Sequence, residues 1–288
     1  MEIHQVGVVG AGTMGSGIAQ AFALGGHPVG LVDSDGSALD RAMQGITKSM
    51  DRLVRKETIG SDVAHAALGR IVTARDLSRL HDCALVVEAV FENFAVKRQI
   101  FQELDALLPP AAIVASNTSS ISITALAATT GRPERVVGMH FFNPVPMMKL
   151  VEIIRGETTS DAVCAAVVGL ARSLGKTPVE VRDYPGFVSN RVLMPMLNEA
   201  MFCLQEGVAE RDAIDTVLKL GMAHPMGPLQ LADFIGLDVC LDIMNVLYEG
   251  FGDSKYRPCP LLKRMVAAGR LGKKSGRGFY DYTEQRTA

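Results

Sequence analysis

Three closely spaced glycines, Gly10, Gly12 and Gly15, separate a short apolar run at residues 6–9 from a stretch with helical spacing. In a strand-turn-helix unit, the first glycine of such a pattern allows a tight turn. The second lets the backbone approach a bound group, and the third lets the helix pack closely on the strand. The start of the helix then presents N–H groups and the positive end of its dipole to an anionic diphosphate. The pattern therefore predicts a dinucleotide-binding loop made by Gly10, Gly12, Thr13, Met14 and Gly15.

A carboxylate completes this fingerprint. The second apolar run, residues 29–32, ends at Asp33, the position from which an acidic side chain accepts hydrogen bonds from the adenosine ribose. Its negative charge would repel a 2′-phosphate, and the three residues that follow, 34–36, include no arginine. We therefore predict NAD as the cofactor rather than NADP.

Short runs of Val, Ile and Leu alternate with longer helical stretches through the first part of the chain. Near-continuous apolar strands separated by helices are typical of a parallel sheet that is covered on both faces. We predict a Rossmann-type, doubly wound, mostly parallel α/β sheet over residues 1–184, with a helical insertion near 38–68. The predicted strands are residues 6–9, 29–32, 71–74, 85–89, 113–116 and 136–139.

The pattern changes near Pro185, after which helical periodicity dominates. We predict a second, all-helical domain over residues 185–288 that contributes to substrate binding and forms a homodimer. Residues 187–204 are apolar on nearly every side, which is typical of a buried helix. The segment Gly276-Arg277-Gly278 has no strand before it, so we interpret it as a turn rather than a phosphate loop.

Composition narrows the possible functions. A net charge of -2 without blocks of like charge argues against nucleic-acid binding. The five cysteines are widely spaced and form no metal-ligand pattern, so we predict no metal and a reducing, cytoplasmic location. Because no charge-free run approaches about 18 residues, we predict no membrane span.

His140 lies where the sixth predicted strand ends, at the edge where open parallel sheets bind ligands. Glu152 follows in the apolar run 150–154, and the prolines between them allow that run to return beside the strand. A carboxylate inside an apolar strand is costly unless it is paired. A His-Glu pair fixes the imidazole tautomer and leaves the other nitrogen as a general base. We therefore predict that His140 and Glu152 carry the chemistry; the alternative is a satisfied structural histidine.

Several motifs in this order resemble the L-3-hydroxyacyl-CoA dehydrogenase family, in particular its short bacterial 3-hydroxybutyryl-CoA dehydrogenases. The resemblance runs through nearly the whole chain. It implies reversible, NAD-dependent oxidation of an (S)-3-hydroxyacyl-CoA to the 3-ketoacyl-CoA. The motifs are Gly-Ala-Gly-Thr-Met-Gly-Ser-Gly at 10–17, Ala-Ser-Asn-Thr-Ser-Ser at 115–120, His-Phe-Phe-Asn-Pro at 140–144, Pro-Gly-Phe-Val-Ser-Asn-Arg at 185–191 and Gly-Arg-Gly-Phe-Tyr at 276–280.

The resemblance also implies roles for individual residues. His140 is the base and Glu152 its orienting acid, while Ser119 and Asn190 hold the substrate oxygens and Asn143 orders the pocket. The implied cofactor contacts are Asp33, Glu92, Lys97, Ser119 and Asn143. Simpler interpretations remain open: Ser119 as a helix cap, Asn190 as a core amide, and Glu92 with Lys97 as a solvated salt bridge.

A basic helix is predicted after the second strand. Residues 41–57 hold five basic and two acidic side chains, with an apolar stripe on the other face. Such a face is usually only solvated, but the resemblance places coenzyme A, a polyanion, against this insertion. Ser49 and Lys56 are the implied CoA contacts.

Two other functions remain open at this stage. One is a related NAD-linked dehydrogenase of a free hydroxy acid, which would not need the basic helix. The other is a non-catalytic NAD-binding protein of the same fold, against which the pairing of His140 with Glu152 argues.

Overall fold

A single eight-stranded sheet organises the first part of the protein. The computed structural model describes residues 3–283, and its strands run in the order β3-β2-β1-β4-β5-β6-β7-β8. The strands are β1 (Val6–Val9), β2 (Val29–Val32), β3 (Ile71–Ala74), β4 (Leu85–Glu88), β5 (Ile113–Ser116), β6 (Val136–Phe141), β7 (Leu150–Arg155) and β8 (Thr177–Arg182).

All neighbouring strands are parallel except β6 and β7, which are antiparallel. The chain moves outward from β1 to β3 on one side and from β4 onward on the other, so the strand order reverses between β1 and β4. Ligands of such sheets bind beyond the carboxyl ends of the strands at this reversal. The predicted mostly parallel, Rossmann-like α/β class is confirmed.

Helices cover the sheet on both sides of this unit. They bury apolar side chains in the same core as the strands, for example Ile18 and Phe22 of α1 and Ile46 and Met50 of α2. The helical insertion between β2 and β3 consists of α2 and α3. The helices are α1 (Thr13–Leu24), α2 (Gly36–Arg55), α3 (Ser61–Gly69), α4 (Phe94–Leu107), α5 (Ile123–Ala127) and α6 (Asp161–Ser173).

The sheet differs from the sequence expectation at two places. β6 continues to Phe141, so His140 lies within the strand rather than after it. β8 was not predicted, because it is an edge strand whose residues, including Pro178 and Glu180, are mostly exposed or half-buried. An exposed edge strand lacks the apolar run by which the buried strands are recognised.

The chain divides into two compact units, one ending at Tyr184 and the other beginning at Pro185. The second unit is helical, with a core that includes Met194, Leu197, Leu229, Met244 and Leu247. Its helices are α7 (Ser189–Gln205), α8 (Arg211–Thr216), α9 (Pro228–Ile235), α10 (Leu237–Phe251) and α11 (Pro260–Ala267), with a π-helical turn at Val217–Gly221 directly after α8.

The expectation that residues 187–204 are buried on every side is wrong for the isolated chain. Met194, Leu197 and Met201 pack into the core of the second unit, whereas Val188 and Val192 are 54% and 68% exposed. Apolar residues at i, i+3 and i+7 bury one face, and the valines lie outside that stripe.

The Gly276-Arg277-Gly278 segment is a turn, as predicted, and a buried aspartate holds it. Asp233, fully buried, accepts hydrogen bonds from the backbone N–H groups of Phe279 (2.9 Å) and Tyr280 (2.8 Å). A Cβ on Gly278 would overlap the Asp233 carboxylate. The glycine therefore allows the close approach on which this docking depends. Within residues 3–283, no helix is long and apolar enough to cross a lipid bilayer.

Candidate active site

The glycine loop between β1 and α1 has the geometry that dinucleotide binding requires. Gly10 has φ +100°, a conformation that L side chains rarely adopt, and a Cβ there would lie 2.6 Å from the Ala89 carbonyl oxygen. A Cβ on Gly15 would overlap the Gly10 carbonyl oxygen, so only glycine lets α1 lie this close. Apart from the neighbouring residues of the loop itself, no heavy atom of the described residues lies within 4 Å of a Cβ built on Gly12, whose outer side is therefore accessible to a ligand.

The start of α1 fits an anionic group. Gly12 is the N-cap and the first turn contains no acidic side chain. The first N–H groups of a helix have no partners within the helix, and its dipole places partial positive charge there. These residues therefore fit a dinucleotide diphosphate.

Asp33 lies directly beside this loop. Its carboxylate accepts hydrogen bonds from the backbone N–H of Ala11 (2.7 Å) and of Asp35 (2.9 Å), and the side chain is half-buried. The carboxylate is thus held at the end of β2, next to the glycine turn, where an acceptor for ribose hydroxyls is expected.

Glu92 organises the loop that follows β5. Its Oε1 accepts hydrogen bonds from the backbone N–H groups of Ser119 (3.0 Å) and Ser120 (3.2 Å), and from the hydroxyls of Thr118 and Ser120. Burial acts to raise the pKa of this carboxyl, but the charge of Lys97 and these hydrogen bonds outweigh it, so the pKa lies below its usual value. The ionised Glu92 therefore orders the loop that carries Ser119.

Lys97 is enclosed by protein, so the alternative of a solvated salt bridge is wrong for this residue. Its ammonium lies 2.7 Å from Glu88 Oε1 and 3.3 Å from Glu92 Oε2. The side chains of Lys97 and Glu88 are 1% and 0% exposed. Glu88 also accepts hydrogen bonds from Val90 N–H (2.6 Å) and the Ser116 hydroxyl (2.6 Å). The chain thus contains a buried ion pair directly beneath Glu92.

His140 and Glu152 face each other across two antiparallel strands. They are register partners in the β6–β7 ladder, and His140 Nδ1 lies 2.8 Å from Glu152 Oε2. The two residues are 8% and 3% exposed. A carboxylate on Nδ1 fixes the proton there in the neutral imidazole, which leaves the lone pair on Nε2. The pairing expected from the sequence is present as a direct hydrogen bond.

The loop after β6 carries Asn143, which is exposed. Two residues anchor this region, and the sequence interpretation did not single out either of them. Asn117 Oδ1 accepts a hydrogen bond from Phe141 N–H (2.8 Å), and Lys176 Nζ donates to the carbonyls of Val145 (2.5 Å) and Met148 (2.8 Å). For Asn117 a signal existed, because it lies inside the motif at 115–120. For Lys176 the sequence contains no such signal, because its partners are backbone carbonyl groups, which any residue has.

The sheet topology gathers the predicted cofactor and catalytic residues of the first unit at one edge. Parallel strands β1, β4, β5 and β6 end on the same side, so the glycine loop, Glu92, Ser119 and His140 all follow or close strands at that edge. Asn190 belongs to the second unit, where it is the second residue of α7 and 8% exposed. Within residues 3–283, no group of three or more His, Cys, Asp or Glu side chains is arranged to hold a metal ion.

The basic helix is α2, whose buried face contains Leu39, Ala42, Ile46 and Met50. Ser49 is half-buried, and its hydroxyl accepts a hydrogen bond from Gln20 Nε2 (3.0 Å). Lys56 is exposed and caps the end of the helix. The two implied CoA contacts thus lie in the last two turns of α2 and at its end.

Comparison with known proteins identifies both units. The NAD-binding domain of 3-hydroxyacyl-CoA dehydrogenase matches residues 5–184, and the C-terminal domain of the same enzymes matches residues 186–282.

Relatives match the chain along nearly its full length. It is 55% identical over 285 residues to a probable 3-hydroxybutyryl-CoA dehydrogenase of Bacillus subtilis, covering 99% of each chain. It is 42% identical to the human mitochondrial hydroxyacyl-coenzyme A dehydrogenase, covering 97% of this chain and 91% of that one. The crystal structure of (S)-3-hydroxybutyryl-CoA dehydrogenase from Ralstonia eutropha superposes with a TM-score of 0.95 at 51% identity, covering 98% of this chain and 99% of that one.

Proposed function

The chain belongs to the 3-hydroxyacyl-CoA dehydrogenase family, and from this membership we propose that it is an NAD-dependent (S)-3-hydroxybutyryl-CoA dehydrogenase. The reaction is the reversible oxidation of the 3-hydroxyl group to a ketone. The observation that carries the proposal is the buried His140–Glu152 hydrogen bond at the edge of the sheet where the dinucleotide loop lies.

His140 is the general base in the direction of oxidation. Its Nε2 takes the proton of the 3-hydroxyl group, and the O–H bond electrons form the ketone C=O as the C3–H bond breaks. The Glu152 carboxylate, hydrogen-bonded to Nδ1, stabilises the imidazolium that forms. In the direction of reduction, the imidazolium returns this proton to the oxygen.

The glycine loop, Thr13, Met14 and Asp33 hold NAD. When bound, NAD supplies the acceptor for the hydride that leaves C3. Asp33 accepts hydrogen bonds from the adenosine ribose, and the start of α1 contacts the diphosphate. Glu92 and Lys97 serve the cofactor side chiefly by fixing the loop 118–120, because the Lys97 ammonium is enclosed.

Ser119, Asn143 and Asn190 orient the substrate. Ser119 lies in the loop that Glu92 orders, so its hydroxyl is presented from a fixed backbone. Asn143 lies three residues after the base and contacts both cofactor and substrate. Asn190, near the start of α7, supplies a side-chain amide that can donate to a substrate oxygen.

The CoA moiety binds to α2. Ser49 and Lys56 are the contacts, and the surplus of basic over acidic residues in 41–57 attracts the phosphates. A free hydroxy acid carries no phosphate groups and would not need this surface.

The protein is a cytoplasmic homodimer built through its second unit. The support for the dimer is the exposed apolar surface of this unit, which is too extensive for a small helical domain in water. Its members are Val188 (54% exposed), Val192 (68%), Val217 (58%), Leu220 (81%), Met222 (64%) and Phe234 (61%).

The test is NADH oxidation with acetoacetyl-CoA, longer 3-ketoacyl-CoAs and free acetoacetate. We expect the highest kcat/KM for acetoacetyl-CoA and a far lower value for acetoacetate. Equal values for the thioester and the free acid would favour a hydroxy-acid dehydrogenase. The absence of turnover with all three, with NADH still bound, would identify a non-catalytic binding protein.

A further inference from the structure

An arginine follows β3 directly beside the ribose-binding carboxylate. β2 and β3 pair in parallel with Val32 opposite Ala74, and the backbone N–H of Asp33 donates to the Ala74 carbonyl (3.2 Å). The residue directly after β3 is Arg75. The strand register therefore brings an arginine to the end of β2, where the sequence immediately after Asp33 offers none.

The Arg75 side chain lies along the segment that follows Asp33. Its Nε donates to the Ser34 carbonyl (3.2 Å), and its Cδ lies 3.7 Å from a Cβ built on Gly36. Among the described residues, no carboxylate lies within salt-bridge distance of this exposed guanidinium. Its positive charge is therefore not neutralised by a paired acid.

Arg41 brings a second guanidinium to the same segment from α2. It donates to the Ser37 hydroxyl (2.7 Å) and to Asp35 Oδ2 (3.3 Å). Asp35 also caps the start of α2. The segment 33–37 thus has guanidinium groups from two different elements, while its own charges are the carboxylates of Asp33 and Asp35.

We propose that Arg75, assisted by Arg41, forms a latent 2′-phosphate site, and that Asp33 is the main group that keeps this enzyme from using NADP. The proposal deepens the proposed function, because it rests on Asp33 as the ribose contact. Guanidinium groups bind phosphate through charge-assisted, often bidentate hydrogen bonds, and an arginine near this ribose is how Rossmann sites accommodate NADP.

Asp33 opposes such binding by its charge. The 2′-phosphate of NADP is attached to the hydroxyl that Asp33 binds in NAD, so the two anions would meet directly. Asp35 opposes it less, because Arg41 pairs with Asp35. Removing the negative charge of Asp33, without adding any basic residue, should therefore allow the 2′-phosphate of NADP to bind.

The experiment compares Asp33→Asn, Asp33→Asn with Arg75→Ala, and Asp33→Asn with Arg79→Ala. Asn keeps the size of the side chain, and its single amide oxygen can accept a hydrogen bond from the N–H of either Ala11 or Asp35, which bond to different oxygens of Asp33. Arg79 is the matched control, an exposed arginine four residues beyond Arg75 on the 3₁₀ turn Leu77–Leu80. Values of kcat/KM are measured for NADH and NADPH with acetoacetyl-CoA.

We expect Asp33→Asn to raise kcat/KM for NADPH about 10- to 100-fold, the range for a hydrogen bond to a charged group. Arg75→Ala should remove most of that gain, and Arg79→Ala should leave it in place. Unchanged discrimination in Asp33→Asn, or a gain that survives Arg75→Ala, would overturn the proposal.

Direct binding separates this proposal from the proposed function. Calorimetry with 2′,5′-ADP and with 5′-ADP measures the adenosine end without turnover. Asp33→Asn should bind 2′,5′-ADP more tightly than the unsubstituted enzyme does, and only with Arg75 present. If Asp33→Asn binds 2′,5′-ADP more tightly in this Arg75-dependent way but the protein has no dehydrogenase activity, the inference holds and the proposed function fails. If turnover is normal and 2′,5′-ADP binds no more tightly, the inference alone fails.

Discussion

Replacing Lys97 by methionine should destabilise the first unit far more than a surface charge loss does. The Glu88 carboxylate, 0% exposed, would remain without its counter-charge. Removing one partner of a buried ion pair costs about 3–5 kcal/mol. Because Glu88 keeps its hydrogen bonds from Val90 N–H and the Ser116 hydroxyl, we expect a loss near the lower bound, about 3 kcal/mol. For a unit of this size that corresponds to a fall in Tm of about 6–12 °C.

The assay is urea and thermal unfolding followed by far-ultraviolet circular dichroism, since the chain has no tryptophan. The control is Arg41→Met, which breaks the Arg41–Asp35 pair whose side chains are 67% and 55% exposed. That change should cost less than about 1 kcal/mol. The double variant Glu88→Gln with Lys97→Met should be more stable than Lys97→Met, because no charge stays buried. A loss in Lys97→Met no larger than the control, or a double variant no more stable than the single, would refute the reasoning.

Three further predictions concern the cofactor loop, the CoA surface and the assembly. The pKa of Glu92 lies below its ordinary value of 4.5. The stabilising effect of this carboxylate is therefore fully present above that pH and is lost as the pH falls through the folded-state pKa. The difference in unfolding free energy between the unsubstituted protein and Glu92→Gln should therefore shrink between pH 6 and pH 3; a constant difference would show that the charge of Glu92 is not responsible. Lys56→Ala should raise KM for acetoacetyl-CoA with little change in kcat, and the effect should weaken with salt; a salt-independent or absent change would favour a merely solvated helix face. Equilibrium sedimentation should find a dimer at micromolar concentration that Val192→Asp weakens, and a monomer of the unsubstituted protein would exclude the proposed assembly.

Much of the fold follows from local patterns in the sequence. The buried parallel strands are continuous apolar runs, and the glycine spacing is dictated by contacts such as that of Gly15 with the Gly10 carbonyl. β8 escaped prediction because an exposed edge strand needs no apolar run. The exposed face of α7 was not predicted, because the apolar composition of a helix does not show which of its side chains pack into the core.

The site was predictable where its residues are close in sequence or lie on paired strands. His140 and Glu152 are connected by one turn and pair in one ladder. The Glu88–Lys97 ion pair was not predicted, because Glu88 ends an apolar strand and Lys97 resembles a surface residue of an amphipathic helix. Arg75 was not anticipated near Asp33, because only the sheet register brings the two together.

The double-mutant cycle on His140 and Glu152 tests the central claim most directly. With acetoacetyl-CoA and NADH, His140→Gln should lower kcat by about 10²- to 10⁴-fold, the usual contribution of a general acid or base, while NADH still binds. Glu152→Gln keeps the side-chain shape but removes the charge that stabilises the imidazolium, so kcat should fall as well. Because the two residues act as one unit, the double variant should be scarcely slower than His140→Gln. Near-normal turnover in either single variant, or losses that multiply in the double variant, would contradict the account.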